Sequence, residues 1–270
     1  MEIIYIDDGS NDESMKVFED SVLPFSKKSY QFSKNQGRVF ARNKGIEISS
    51  GDWLLFLSSN IKVNNMLLVE YSAILKKYSE LAFMGSVEYI SSDLLFERYL
   101  NHHKRGINRL NNESLSPFKF LLFSNCLIHK SIFKKIKFNT EFTNYGGEEL
   151  EFSYHFNQLY PQNIRVCKKA KAIRMHHPGL WKHCDRMYAF GTTNFILLNE
   201  HLKKDIIKYT FLLTQSWLLI IMRVVEKILK YLYRWKITSY YMIRFIMLCA
   251  LLRGYFTAQK FQNHQIQDLQ

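Results

Sequence analysis

The sequence predicts an α/β fold: a mainly parallel sheet covered by helices, followed by a helical carboxyl-terminal extension. Three observations predict it. Apolar runs too short for helices alternate with segments of helical period, the pattern of strands joined by crossover helices. The first run ends in acidic turn residues, as strands of open α/β sheets often do at a ligand-binding edge. Beyond residue 202 the composition changes to long apolar stretches interleaved with Lys and Arg.

Glu2 to Ile6 is β-branched and aromatic, hence a strand, and Asp7-Asp8-Gly9-Ser10 is turn chemistry at its carboxyl end. The two carboxylates either face a small polar ligand or close a capped turn, in which Ser10 or Asn11 caps a helix through Val17 and Phe18. An extended segment around Gln31 to Ser33 meets a turn at Gly37, and a short helix from Val39 to Ile48 stops at Gly51. Trp53 to Leu57 is an uninterrupted apolar run and reads as a strand covered on both faces. Asn64 to Tyr78 places Leu67, Leu68, Tyr71, Ile74 and Leu75 at helical spacing, and Leu81 to Tyr89 is a further strand. From Ile90 to Leu115 the pattern gives way to a polar, basic stretch with His102, His103, Lys104, Arg105 and Arg109, which reads as a surface loop over a site. Phe120 to His129 returns to strand composition. The run YGGEELEFSYHF from Tyr145 starts a helix whose first turn carries Glu148 and Glu149, behind glycines that allow close backbone approach.

With 270 residues and 47% apolar content the chain buries a real core, which excludes a disordered protein. The net charge of +13 favours anionic partners: nucleotide phosphates, nucleic acid or an acidic membrane leaflet. Nucleic acid is set aside, because no basic surface outside the carboxyl-terminal helices carries the interleaved aromatics of a base-stacking platform. Cys126, Cys167, Cys184 and Cys249 are scattered without a CxxC pair, which predicts reduced thiols and no cysteine metal site. The amino-terminal run is acidic and too short for a secretory leader.

Two regions follow: residues 1–202 as the α/β domain and residues 203–270 as a basic, amphipathic helical region. From Lys203 to Lys260 there are eleven Lys or Arg against two acids, Asp205 and Glu226. Thr210 to Met222 is uncharged for thirteen residues, short of the roughly 20 that span a bilayer. Arg223, Lys227, Lys230 and Arg234 then gather into one stripe, with Ile221, Val225, Ile228 and Leu232 opposite. Such a helix either lies on an anionic membrane surface or packs its apolar face on the domain, and Trp217, Tyr231, Tyr233 and Trp235 add interfacial aromatics.

Taken together and in order, the acidic turn Asp7-Asp8-Gly9-Ser10, the segment NQGRVFARNKGI, the run GDWLLFLSSN and the segment YGGEELEF resemble the family 2 glycosyltransferases from about residue 2 to residue 200. The resemblance implies a GT-A fold, a Rossmann-like mixed sheet flanked by helices that binds a nucleotide-sugar. It implies that Asp7, Asp8, Gly9 and Ser10 hold the base and ribose of the donor. Arg42 and Asn43 would lie near its pyrophosphate, beside Ser59 and Asn60. It makes Glu149 the general base on the acceptor hydroxyl, with Glu148 beside it, and brings His176 or His177 to the diphosphate or metal. The segment Arg186 to Gly191 would lead toward the acceptor side. An inverting displacement follows from the family, with a glycan or lipid-linked acceptor at the cytoplasmic face of a bacterial membrane, in cell-surface polysaccharide synthesis.

Two features depart from the family pattern. Where the family places an Asp-x-Asp pair for Mg²⁺ or Mn²⁺, this chain has Ser58, Ser59 and Asn60, so the metal positions Ser58 and Asn60 are degenerate and a divalent cation would be weakly held. The first strand here also matches what is ordinarily the second, which leaves one wall of the base pocket and a central sheet position open. Both departures support a rival expectation, a glycosyltransferase-like scaffold without activity.

Overall fold

Among the described residues, seven strands, with helices around them, divide between two sheets. The computed structural model describes residues 1–207 and 217–267. β1 (Glu2–Asp7) and β2 (Ser26–Gln31) form a parallel pair, joined by α1 (Ser14–Asp20). The other sheet has the order β3-β6-β5-β7-β4, built from β3 (Trp53–Leu57), β4 (Ile61–Val63), β5 (Ala82–Ser91), β6 (Asn125–His129) and β7 (Ile164–His177). Between the sheets runs α2 (Arg38–Ile48), whose Gly45 lies against the Ile6 side chain. Glu2 of β1 accepts from the Ser50 amide at 2.6 Å and the Ser50 hydroxyl at 2.7 Å, just ahead of β3.

The sheet is mixed. β1–β2 and β5–β7 are parallel, but β3–β6, β5–β6 and β4–β7 are antiparallel, which corrects the mainly parallel expectation. The connections are not simple crossovers: β4 follows β3 after three residues yet pairs with β7 at the opposite edge of the sheet, and β6 is reached from β5 through one short helix and two 3-10 turns and enters reversed between β3 and β5. α1 is likewise not capped by Ser10 or Asn11; the Asp12 carboxylate accepts from the Ser14 amide at 3.0 Å.

The stretch from Ile90 to Leu115 is not an irregular loop. It contains α4 (Leu94–Leu100), whose Phe96, Tyr99 and Leu100 are buried, and a 3-10 turn at Gly106–Arg109. Asp93 organises it: Oδ1 caps α4 through the Phe96 amide at 3.2 Å and accepts from the Tyr233 hydroxyl at 2.7 Å, while Oδ2 takes the Leu180 amide at 3.1 Å. Asp93 thereby joins α4, α6 (Leu180–Thr192) and α9 (Leu218–Arg234).

Under the larger sheet, Phe123, Phe138 and Phe152 of α5 (Glu148–Leu159) pack ring on ring, Phe138 and Phe152 with centroids 4.7 Å apart. This core continues across residue 202. Leu251, Leu252 and Phe256 of α10 (Tyr240–Gln267) belong to the same cluster, as does Leu202 of α8 (Glu200–Ile206). The stretch Tyr240–Lys260 is long and apolar enough to cross a membrane, yet 44% of its most apolar window is buried within the protein. It crosses α6 backbone against backbone: a Cβ on Gly191 would overlap the Leu251 carbonyl, and one on Gly254 the Tyr188 carbonyl.

α9 is amphipathic in three sectors. Met222, Glu226 and Tyr233 are buried, Arg223, Lys227 and Arg234 form an exposed flank, and Ile220, Val224, Ile228, Tyr231 and Trp235 face outward. Lys230 leaves the expected basic stripe to pair with Glu226 at 2.8 Å, which also holds Arg253 of α10 at 3.2 Å. The part of the uncharged run from Thr210 to Ser216 lies outside the described residues.

Candidate active site

The opening turn and the Glu pair meet through α2. Asp8 accepts from the Gln36 and Gly37 amides, each at 2.8 Å, and so uses both oxygens to close the entry of α2. Gly9, at φ +77°, lies flat on the Lys34–Asn35 backbone, where a Cβ would stand 2.6 Å from the Lys34 carbonyl carbon. Gly37 at φ +103° then turns the chain into the helix. One turn apart on that helix, Arg38 and Arg42 project toward α5. Arg38 reaches Glu148 at 2.9 Å; Arg42 reaches Glu148 at 3.3 Å and binds Glu149 through Nη2. The Arg42 guanidinium also lies 5.2 Å from the centroids of both Phe123 and Phe138.

The two glutamates differ in exposure. The Glu148 side chain is 3% exposed and that of Glu149 20%, so Glu149 is the more accessible carboxylate. Burial, followed by the neighbouring Glu149 charge, holds the Glu148 carboxyl above its ordinary range in spite of both arginines. Glu149 offers one oxygen to Arg42, and no described residue bonds its Oε2.

The turn that presents them is built for the purpose. Gly146 and Gly147 have φ +90° and +92°, and a Cβ on Gly147 would press to 2.9 Å on both Phe142 and Phe190. Asn194, in α7 (Asn194–Leu197), is 1% exposed and donates to the Asn144 and Gly146 carbonyls at 2.8 and 2.7 Å. Tyr145 lies between two guanidiniums, Arg38 at 5.1 Å and Arg186 at 5.4 Å.

Of the other expected positions, Asp7 is 2% exposed; its Oδ1 takes the Ser10 amide at 2.6 Å and its Oδ2 is buried without a partner. Ser10 itself is exposed, and its side chain bonds no described residue. Asn43 turns away from the cluster and brackets Phe138, donating to its carbonyl at 2.9 Å and accepting its amide at 3.1 Å. Ser58 stands beside Ser124, and Ser59 and Asn60 are exposed. The two histidines part company. His176, at φ +54°, is exposed next to Met175, whose amide bonds Asn60 at 3.0 Å. His177 is buried against Tyr89, Phe96 and His183, and donates from Nδ1 to the Pro178 carbonyl at 2.9 Å. Burial pushes His177 down to about 4 and His183 to about 3, so both rings stay neutral in the core.

Buried oxygens without a partner mark this region: Asp7 Oδ2, Ser124 Oγ and Glu148 Oε2. Sequence reading missed Arg38, whose spacing of four from Arg42 was the available signal. Asn194, Ser124 and Tyr145 carried none, since their roles depend on contacts between distant segments.

The model of the family described as "Glycosyl transferase family 2" matches residues 1–137. The chain belongs to glycosyl transferase family 2. A curated relative, Glycosyltransferase GlyG of Streptococcus pneumoniae serotype 4 (strain ATCC BAA-334 / TIGR4), is 24% identical over 151 residues, 52% of this chain and 50% of that protein. The chain thus spans about half the length of the curated relative it matches. Among solved structures, S. aureus TarS 1–349 superimposes with a TM-score of 0.55 at 14% identity, covering 98% of this chain and 82% of that one. TarS 1–349 in complex with UDP-GlcNAc gives a TM-score of 0.51 at 14% identity, over 98% and 83%. At that identity the likeness is one of fold, the GT-A mixed sheet with its flanking helices.

The divalent cation that the family pattern implies does not fit the donors at its expected position. Ser58, Ser59 and Asn60 offer neutral oxygens, and among the described residues no three His, Cys, Asp or Glu side chains come together. What this glycosyl transferase family 2 chain does place around the Glu pair is a set of guanidiniums, Arg38 and Arg42 on the glutamates and Arg186 on the Tyr145 ring.

Proposed function

We propose that this chain transfers a sugar from a nucleotide-sugar to a hydroxyl of a glycan or lipid-linked acceptor, with inversion at the anomeric carbon. Family membership supports sugar transfer, and the fold it shares with a protein crystallised with UDP-GlcNAc supports a nucleotide donor. The observation that carries the reading is the convergence of Asp8, Arg42 and Glu149 through one helix.

In this reading Glu149 Oε2 takes the proton from the acceptor hydroxyl as its oxygen bonds the anomeric carbon. The bond from that carbon to the diphosphate oxygen breaks, and the electron pair leaves with the nucleoside diphosphate. Guanidiniums of the cluster and His176 offset its charge, work that fixed cations in a partly dry cleft perform without a metal. Asp7 Oδ2, buried and unpartnered, is the acceptor for an N–H or hydroxyl of the nucleoside. Glu148 holds the arginines in place.

Titration with UDP and GDP, with and without Mn²⁺, tests the donor site; binding of one nucleotide is expected, to much the same extent in either case. Glu149→Gln is expected to lower transfer at least a hundredfold while the chain still folds, read as an unchanged far-ultraviolet circular dichroism spectrum. A full-rate variant would place the base elsewhere. The degenerate Ser58-Ser59-Asn60 turn favours a second reading, a non-catalytic scaffold, and absence of binding to any nucleotide would select it.

We also place the protein peripherally at the cytoplasmic face of a bacterial membrane, in cell-surface polysaccharide synthesis. The outward apolar sector of α9 supports this, with Tyr231 60% and Trp235 66% exposed beside the Arg223, Lys227 and Arg234 flank. The two similar proteins come from bacteria. Flotation with anionic liposomes is expected, and its loss on replacing Ile228, Tyr231 and Trp235 by Ser. Equal flotation of that variant would remove α9 from the contact.

A further inference from the structure

A cavity of about 650 Å³ opens between β5, the 3-10 turn after α4 and the first turns of α10, and no residue of the Asp8–Arg42–Glu149 cluster lines it. Its floor is apolar: Met84 and Leu122 from the sheet side, Leu248 and Leu251 from α10. Its rim is cationic, with Lys104, Arg105, Arg109, Lys119 and Arg244 against one carboxylate, Asp205, which lies 3.8 Å from Lys119. Lys104, Arg105, Arg109 and Arg244 form no ion pair among the described residues.

Aromatic rings lie against them instead, and Arg105 also donates from Nη1 to the Leu100 carbonyl at 3.2 Å. Lys104 lies 5.5 Å from the Tyr241 centroid, Arg105 5.1 Å from Tyr89, Arg109 4.8 Å from Phe120 and Arg244 5.8 Å from Tyr240. A ring face orients a cation but does not neutralise it. Four like charges around an apolar floor repel one another, and an anion among them relieves that repulsion. Tyr240 and Tyr241 of the lining lie six and seven residues beyond the end of α9, near the outward-facing Tyr231 and Trp235 in sequence.

We propose that this cavity binds a lipid phosphate monoester, an alkyl or prenyl phosphate, with its chain on the Met84–Leu251 floor and its phosphate among Arg105, Arg109 and Arg244. Floor and rim each select one half of that molecule: apolar burial holds the chain, and guanidiniums take phosphate oxygens in pairs. The inference does not depend on the proposed transfer reaction, because it concerns residues outside the Glu149 cluster and is read by binding alone.

The test is calorimetric titration of the full chain with dodecyl phosphate below its micellar concentration, beside inorganic phosphate and uncharged dodecyl maltoside. Dodecyl phosphate is expected to bind at least tenfold more tightly than either. The exposed pair Arg109→Glu and Arg244→Glu is expected to weaken it at least tenfold, and Leu248→Trp, which fills the floor, to abolish it. Unchanged affinity in the charge variant overturns the proposal, as does unchanged affinity in Leu248→Trp. Equal binding of dodecyl maltoside would mean apolar capture only, and equal binding of inorganic phosphate an anion site without a chain; either result also overturns it.

Discussion

Two junctions hold distant parts of this chain together by opposite means. Where α6 meets α10, side chains are removed: Gly191 and Gly254 let two helix backbones touch, with Leu251, Leu252 and Phe190 of the apolar core beside them. Where α2 meets α5, side chains are charged: Arg38 and Arg42 cross to Glu148 and Glu149 over the Phe123 and Phe138 rings. The first junction tolerates nothing added. The second tolerates nothing taken away singly, because a carboxylate 3% exposed loses its partner. The difference bears on the proposed function, since the charged junction alone leaves a carboxylate, Glu149, 20% exposed.

The glycine junction gives the largest expected effect. Gly254→Ala drives a methyl into the Tyr188 carbonyl, and backbone cannot swing aside as a flexible side chain does. Destabilisation of about 4 kcal/mol or more is expected, read as a shift in the urea midpoint. A loss below about 1 kcal/mol would mean that the helices do not touch there, and the contrast between the junctions would collapse.

The charged junction is expected to cost less and to be repairable. Arg42→Ala strands Glu149 and leaves Glu148 with Arg38 alone, for about 3 kcal/mol. Adding Glu148→Gln removes the most buried charge and is expected to recover at least about 1 kcal/mol, a coupling that a double-mutant cycle measures. Strict additivity would show that Arg42 acts through its aromatic neighbours instead of through the glutamates.

These junctions also divide what was legible in the sequence from what was not. Trp53–Leu57 and the helix ending at Ile48 were readable because each declares itself within a few residues, by an apolar run or a period. The acidic turn and the Glu pair were readable as motifs, and their meeting through Arg42 was not, since 107 residues separate Arg42 from Glu149. α4 was missed although Asp93 before Phe96 is a capping signal, because the charges after Leu100 dominated the reading. Asp8 and Asn43 read as ligand contacts in the sequence, and in the fold each also bonds the backbone; a carboxylate or amide has the same composition in either role. His176 and His177 could not be separated by sequence, because adjacent residues of a strand face opposite ways and nothing in the pair says which face is the core.

That pair supplies the smallest expected effect and a third kind of junction, polar yet uncharged. His177 and His183 join the end of β7 to α6 with ring centroids 5.6 Å apart, both kept neutral by burial. Above the ordinary imidazole value of 6.5, the rings are neutral in folded and unfolded chains alike and the contact is fully present. As pH falls, the unfolded chain takes up protons first, and the folded rings follow only near 4 and 3. Stability from this contact is therefore lost progressively from pH 6.5 down to about 3, first through both rings and below 4 through His183 alone. Glu148 and Glu151, whose carboxyls burial raises, shift with the opposite sign, so the measurement compares the variant His183→Phe with the wild type. Urea midpoints at pH 7.5 and 5.0 are expected to diverge more in the wild type than in the variant. Equal divergence would mean that His183 is not held neutral, and that the junction between β7 and α6 admits water as the glycine junction does not.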